Sequence, residues 1–92
     1  MKRTTNRDSH LYTSKKETFK ANNLFGEYNY NSIYVVYSYG YHFPLYAFKN
    51  GLWYENIDKY SVSTSKQKTQ SRPNTTEFLK VTTEEIQQLI KY

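Results

Sequence analysis

The residues of this sequence that could do chemistry are mainly cations spaced among hydroxyl and amide side chains. Four positive charges alternate with Ser, Thr and Gln in residues 59–72, and this stretch has almost no apolar residue after Val62. Lys and Arg neutralise phosphates, while hydroxyl and amide groups hydrogen-bond to phosphate oxygens. The pattern predicts a nucleic-acid contact through Lys59, Lys66, Lys68, Gln70 and Arg72. The plainer alternative is a solvated loop.

Tyrosine is the second residue type that could carry a function. The chain has 11 Tyr, 5 Phe and 1 Trp, so half of its hydrophobic residues are aromatic. Exposed rings stack on unpaired bases, and Tyr and Trp dominate the energetics of protein interfaces. We expect protein-binding or stacking roles for Tyr39, Tyr41, His42 and Tyr60. The alternative is that tyrosines form the core because aliphatic residues are scarce.

Burial of the strand tyrosines decides between these two alternatives. Base stacking on the strand tyrosines would fail if most of these rings were buried. The strand tyrosines are Tyr34, Tyr37, Tyr39, Tyr46 and Tyr54.

Catalytic and metal-binding patterns are weak. His10 and His42 are far apart in sequence, and Glu55 and Asp58 are the one close acidic pair near the predicted strands. Acid–base catalysis needs paired groups with different pKa values, and this pair is equally suited to hold Lys59. The chain has no Cys and only 3 Gly, which excludes disulfides, thiolate metal sites and a glycine-rich phosphate loop. We therefore predict no enzyme activity, no catalytic residue, no metal site and no cofactor.

The net charge of +5 lies in two segments that flank a nearly neutral centre. Residues 1–20 carry six Lys and Arg against two acidic residues, and residues 58–72 carry four against one. Such segments attract polyanions, or they keep a tyrosine-rich domain dissolved. The N-terminus lacks the apolar stretch of a secretory signal, and no segment approaches the roughly 20 apolar residues that span a bilayer. A cytoplasmic location and no membrane partner are the expectation.

Residues 33–39 form the strongest predicted strand, since they are almost all β-branched or aromatic. Both faces of this strand carry bulky side chains, which indicates a central strand covered on both sides. The dipeptide Asn50-Gly51 between apolar runs predicts a hairpin, because both residues tolerate positive φ.

The register of that hairpin stays open at this point. A two-residue turn sets Phe48 opposite Trp53, whereas a three-residue turn with a bulge sets Tyr46 opposite Tyr54.

The C-terminal residues predict a last strand followed by a helix. Thr82 and Glu85 have the spacing of a capping box, and an apolar stripe follows at Ile86, Leu89 and Ile90. So short a helix must dock on a sheet to be stable. The predicted fold is α+β: a small, mainly antiparallel sheet of three to five strands with a C-terminal α-helix packed on it. Residues 1–20 are expected to form a basic, partly mobile arm, and residues 21–92 a single tyrosine-rich domain.

Several short motifs follow one another in a specific order. They are Tyr-Ser-Tyr-Gly at 37–40, His-Phe-Pro at 42–44, Trp53-Tyr54, Asn56, Lys-Tyr-Ser at 59–61, Thr-Ser-Lys at 64–66, Gln70 and Arg72-Pro73. This order resembles a family of small uncharacterised proteins of phages and mobile elements, over about residues 24–73. In that family a histidine often stands where this chain has Gln67. The resemblance implies a phage-type accessory protein of the host cytoplasm, with the basic run as part of the domain.

Two functions follow as predictions. The first is non-catalytic nucleic-acid binding through the basic segment, residues 59–72, with the N-terminal basic residues assisting. The alternative is an inhibitor-type protein that binds a host or defence-system protein through its tyrosine-rich surface. The sequence leaves the oligomeric state open.

Overall fold

The computed structural model describes residues 2–41, 43–58, 69–73 and 77–91. Within these ranges the chain forms seven strands and two complete helices, and residues 69–71 are also helical. In chain order the elements are β1 (Lys2–Arg3), α1 (Ser9–Ser14), β2 (Phe19–Lys20), β3 (Leu24–Tyr28), β4 (Tyr34–Ser38), β5 (Pro44–Lys49), β6 (Leu52–Asn56), β7 (Leu79–Val81) and α2 (Thr83–Lys91). No helix in the described ranges is long and apolar enough to span a bilayer.

All seven described strands belong to one sheet, in which they lie side by side in chain order. β2 to β6 form an antiparallel meander, while β1 runs parallel to β2 and β7 parallel to β6. The predicted α+β class, with a mainly antiparallel sheet and a C-terminal helix, is confirmed. The number of strands exceeds the expected three to five. The additional strands β1 and β2 have only two residues each, too few to show the alternation of apolar and polar residues that predicts a strand.

The central strand is covered on both faces, as the bulky side chains on its two faces predict. All five residues of β4 are buried. One face, which we call the α1 face, packs Tyr34, Val36 and Tyr46 with Phe19 and the partly buried Tyr12 of α1. The other, the α2 face, carries a second cluster that includes Ile86 of α2; its buried members are Ile33, Val35, Tyr37, Ala47 and Ile86.

The hairpin between β5 and β6 has the two-residue turn. Asn50 and Gly51 have φ angles of 54° and 77°, and Phe48 is the register partner of Trp53. Positive φ at both turn residues matches the right-handed twist of the strands, and Asn-Gly adopts it at low cost. The Phe48 and Trp53 rings lie 5.1 Å apart, which adds a cross-strand aromatic contact.

Helix α2 is fixed at both ends by side-chain hydrogen bonds. At its start, the backbone N–H of Glu85 donates to Thr82 Oγ1 and the Thr82 N–H donates to Glu85 Oε1, at 3.2 and 2.8 Å. This is the predicted capping box. At its end, Asn29 Nδ2 donates to the carbonyl of Ile90, and Asn31 Nδ2 to that of Lys91, at 2.8 and 2.7 Å. The turn between β3 and β4 therefore positions the C-terminal end of α2.

Residues 1–20 were expected to form a partly mobile arm. The described part of this segment, residues 2–20, contains β1, α1 and β2. Phe19 is fully buried in the α1-face cluster, and its ring lies against Gly26 of β3. The Ser9 hydroxyl donates to the carbonyl of Asn6 at 2.7 Å and lies 3.3 Å from the carbonyl oxygen of Gln70, which places α1 against the helical residues 69–71. The hydrophobic core therefore extends across the expected boundary at residue 20.

Candidate functional site

Three of the five residues predicted to contact nucleic acid, Lys59, Lys66 and Lys68, lie outside the described residues. Gln70 is partly buried beside α1, and Arg72 contacts the α1 face. The Arg72 guanidinium donates to Glu55 Oε2 at 2.8 Å and lies 4.4 Å from the centre of the Phe78 ring. Arg72 therefore neutralises a buried carboxylate and covers an aromatic ring, while about half of its side chain is open to solvent.

The strand tyrosines are mostly core residues. Tyr34 and Tyr46 are fully buried and Tyr37 is nearly so, which excludes these three as platforms for base stacking. Burial raises the pKa of both Tyr34 and Tyr46 far above its usual range. The Tyr34 hydroxyl donates to the carbonyl of Glu17 at 2.6 Å, so the polar end of this ring has a partner. Tyr54 is partly buried beside the α2-face cluster.

Tyr39 and Tyr41, which were predicted as contact residues, are 62% and 64% exposed. Both lie in the loop between β4 and β5. His42 and Tyr60, the other two predicted contact residues, lie outside the described residues.

Tyr41 folds back over the α2 face beside the end of α2. Phe25 of β3 and Tyr37 of β4 are register partners, and their rings stack with centres 5.0 Å apart. The Tyr41 ring meets both of them edge-on, at 5.2 Å from Phe25 and 5.0 Å from Tyr37. We call this surface the tyrosine face and define it by Phe25, Glu27, Tyr37, Tyr39 and Tyr41.

Glu27 is the charged group of the tyrosine face. It lies two residues after Phe25 on β3, so both side chains point to the same side of the sheet. The Tyr41 hydroxyl donates to Glu27 Oε1 at 2.9 Å. No Lys or Arg in the part of the chain that the structure describes forms an ion pair with Glu27.

The Glu27 carboxylate contributes to a raised pKa in each of the two tyrosines beside it. Burial, and after it the charge of Glu27, raises the pKa of Tyr37 to about 12. The hydrogen bond to Glu27 also raises the pKa of the exposed Tyr41 hydroxyl. The tyrosine face therefore has a negative centre, although the chain as a whole is basic.

Two hollows open on the tyrosine face. The larger, which we call the helix cleft, has a volume of about 520 Å³ and lies between Tyr37, Tyr41 and the last residues of α2. The smaller, of about 330 Å³, lies between Tyr39, Phe25 and Lys20. Glu27 and Tyr41 line both hollows. Volumes of this size suit one small ligand or one inserted side chain.

Backbone hydrogen bonds anchor the start of the exposed loop. The N–H of Tyr39 donates to the carbonyl of Asn23 at 2.9 Å, and the N–H of Ser38 donates to that of Phe43 at 3.0 Å. Tyr39 has a φ of 66°, in the left-handed region that a bulky residue rarely adopts. The Asn23 amide also donates to the Tyr39 hydroxyl at 3.3 Å. These bonds anchor the start of the loop at Tyr39, and both rings are open to solvent.

Three residues of the tyrosine face, Phe25, Glu27 and Tyr37, were not predicted as site residues. Phe25 and Glu27 flank Gly26, and the two-residue period of a strand would have placed both on one face. What the sequence does not show is that Phe25 pairs with Tyr37 and that Tyr41 returns onto this pair.

Among the described residues, no group of three or more His, Cys, Asp or Glu could hold a metal ion. No protein-family model, curated protein or solved structure matches this chain. The likeness to phage and mobile-element proteins therefore stays an expectation from the motifs.

Proposed function

We propose that this chain is a non-catalytic, phage-type accessory protein that acts in the host cytoplasm by binding a host or defence-system protein through its tyrosine face. The observation that supports the proposal is the exposure of Tyr39 and Tyr41 on one loop whose start is anchored by backbone hydrogen bonds. The loop lies beside a cleft that is large enough for a partner side chain.

Exposed tyrosines on an anchored loop are well suited to an interface. A tyrosine contributes a large contact area with only two side-chain torsions, so little conformational entropy is lost on binding. A loop whose backbone is already hydrogen-bonded also needs less ordering when a partner docks. Tyr30 extends the exposed aromatic area along the rim of the helix cleft, where it is 83% exposed.

The test is capture of a partner from a nuclease-treated host lysate by the tagged wild type and by two variants. Tyr39→Ser/Tyr41→Ser removes the exposed rings of the tyrosine face. Leu11→Ser is the matched control, because Leu11 is 53% exposed on α1 and lies away from this surface. We expect one stoichiometric partner with the wild type and the control, and its loss with the double variant. Equal capture by all three proteins, or no stoichiometric partner, would contradict the proposal.

Nucleic-acid binding through the basic segment is the second candidate function. Besides the charges of residues 59–72, a described pair supports it: Arg3 and Lys20 are register partners on β1 and β2, and both are exposed. Lys20 also lines the smaller hollow beside Phe25. Cations beside exposed rings are typical of surfaces that bind single strands.

Binding to single- and double-stranded DNA and RNA across a salt series tests this second candidate. Contacts to phosphates predict an affinity that falls steeply as salt rises. It is also expected to fall in Lys66→Ala/Lys68→Ala. The candidate is rejected if no binding occurs at low salt. Binding that persists at high salt and ignores the double variant would also contradict it.

A further inference from the structure

We infer that the helix cleft receives an arginine side chain of the protein partner, whose guanidinium pairs with Glu27 and packs on Tyr41. This inference rests on the proposed protein-binding function and names the chemistry of the group that is bound. It follows from the charge at the centre of the cleft and the rings around that charge.

The Glu27 carboxylate can form an ion pair with a cation of the partner. One of its carboxylate oxygens, Oε1, accepts the hydrogen bond from Tyr41, and in the described chain no cation pairs with the carboxylate. The second oxygen, Oε2, can therefore accept from a ligand. The bond between Tyr41 and Glu27 is open to solvent, so a cation can reach the carboxylate without displacing another group.

The surrounding rings favour a planar cation. Tyr37 and Tyr41 stand at 67° to each other with ring centres 5.0 Å apart, so the exposed Tyr41 ring forms a wall beside Glu27. A guanidinium stacks on aromatic rings and is more weakly hydrated than an ammonium, so it enters such a site at lower cost. Its fork of N–H donors also matches the geometry of a carboxylate.

The end of α2 forms one side of the cleft. Ile90 and Lys91 line the cleft, and they are the last two residues of the helix. The partial negative charge of a helix end lies on its free carbonyls, and here Asn29, Asn31 and the Lys49 ammonium donate to the last three. The helix end therefore shapes the cleft, and the attraction for a cation comes from Glu27. Lys91 is the one cation among the described residues that line the helix cleft, and it opposes a bound guanidinium. Its removal is therefore expected to strengthen binding.

The direct test is an NMR titration of the ¹⁵N-labelled protein with N-acetyl-arginine amide. The matched control ligand is N-acetyl-citrulline amide, which has nearly the same shape without the charge. We expect saturable shifts of the Glu27 and Tyr41 amides with arginine only, and at least tenfold weaker binding to Glu27→Gln. This variant keeps an acceptor for the Tyr41 hydroxyl, so it is expected to stay folded. Lys91→Gln is expected to bind arginine a few times more tightly.

Several outcomes would overturn the inference: no shift at these amides, equal shifts with citrulline, or equal affinity of Glu27→Gln. Tighter binding of N-acetyl-lysine amide than of the arginine probe would overturn the choice of arginine. Partner capture separates this inference from the proposed function. If Tyr39→Ser/Tyr41→Ser loses the partner while Glu27→Gln retains it, the arginine inference is wrong and the protein-binding function stands. If the wild type captures no partner, the proposed function itself is wrong.

Discussion

Nη1 of Arg72 lies 2.8 Å from Oε2 of Glu55, while the guanidinium carbon lies 4.4 Å from the centre of the Phe78 ring. The carboxylate side chain is only 7% exposed and the arginine side chain is 47% exposed, so the pair crosses from the core to the surface. Arg72 thus joins the helical residues 69–71 to β6 and the segment before β7. Arg72 therefore has a structural role that does not depend on any contact with a nucleic-acid phosphate.

Arg72→Ala is predicted to lower the free energy of unfolding by about 1–3 kcal/mol, because it leaves the Glu55 carboxylate buried without a partner. The measurement is urea unfolding, and Arg7→Ala, which removes an exposed cation, is the matched control with a change within about 0.5 kcal/mol. The double variant Arg72→Ala/Glu55→Gln is expected to recover part of the loss, since no charge is then left unpaired. Equal stability of Arg72→Ala and the wild type would show that the ion pair contributes nothing.

Gly26→Ala is predicted to destabilise the fold by overpacking. A Cβ at position 26 would lie 2.5 Å from Cε1 of Phe19 and 2.5 Å from the Tyr34 hydroxyl, both of which are buried. Such insertions into packed cores cost about 1–3 kcal/mol. Gly51→Ala is the comparison, because its Cβ would meet no atom within 4 Å and only the positive φ of 77° opposes it. Thermal unfolding should show a larger loss for Gly26→Ala, and the reverse order would contradict the close packing of β2 on β3.

Stability should fall at alkaline pH because of the buried tyrosines. The folded-state pKa of Tyr37 is about 12, whereas an unfolded tyrosine titrates near 10. A folded pKa above the unfolded one gives stability that is fully present below pH 10 and is lost as pH rises towards 12. We expect the Tm of the wild type to drop over this window, and that of Tyr37→Phe to drop less. Parallel curves for the two proteins would show that Tyr37 has no part in the loss.

The helix cap is predicted to contribute about 1 kcal/mol. Thr82→Ala removes the hydroxyl that accepts from the Glu85 N–H, and caps of this kind are worth about 0.5–2 kcal/mol. Thr82→Ser keeps the acceptor and is the matched control. Circular dichroism during thermal unfolding measures the difference. A Thr82→Ala protein as stable as Thr82→Ser would show that packing on the sheet alone holds the start of α2.

The elements with local signals were predictable from the sequence. Asn50-Gly51 predicts a hairpin at this position, although the choice between a two- and a three-residue turn came only from the structure. Thr82 with Glu85 likewise marks the start of α2. The strand at residues 33–39 is recognisable because its residue types suit a strand that is buried on both faces. In each of these cases the decisive interactions lie within a few residues of one another.

The remaining features depend on residues that are distant in sequence. Arg72 meets Glu55 across 17 positions, and β1 becomes a strand only because β2 lies beside it. The tyrosine face has the same origin: Phe25 and Tyr37 become neighbours through the register of β3 and β4, and Tyr41 joins them through the path of its loop. No local sequence pattern indicates these contacts. The basic segment was therefore the stronger candidate for a functional site from the sequence alone.

Site-specific photo-crosslinking in host cells tests the proposed function most directly. A photoreactive phenylalanine replaces Tyr39 in one protein and Leu11 in a second, two side chains of similar exposure on different surfaces. We expect position 39 to give one discrete protein adduct that survives nuclease treatment, and position 11 to give none. The absence of a protein adduct at position 39, the same adducts from both positions, or adducts that nuclease removes would contradict a protein-binding tyrosine face.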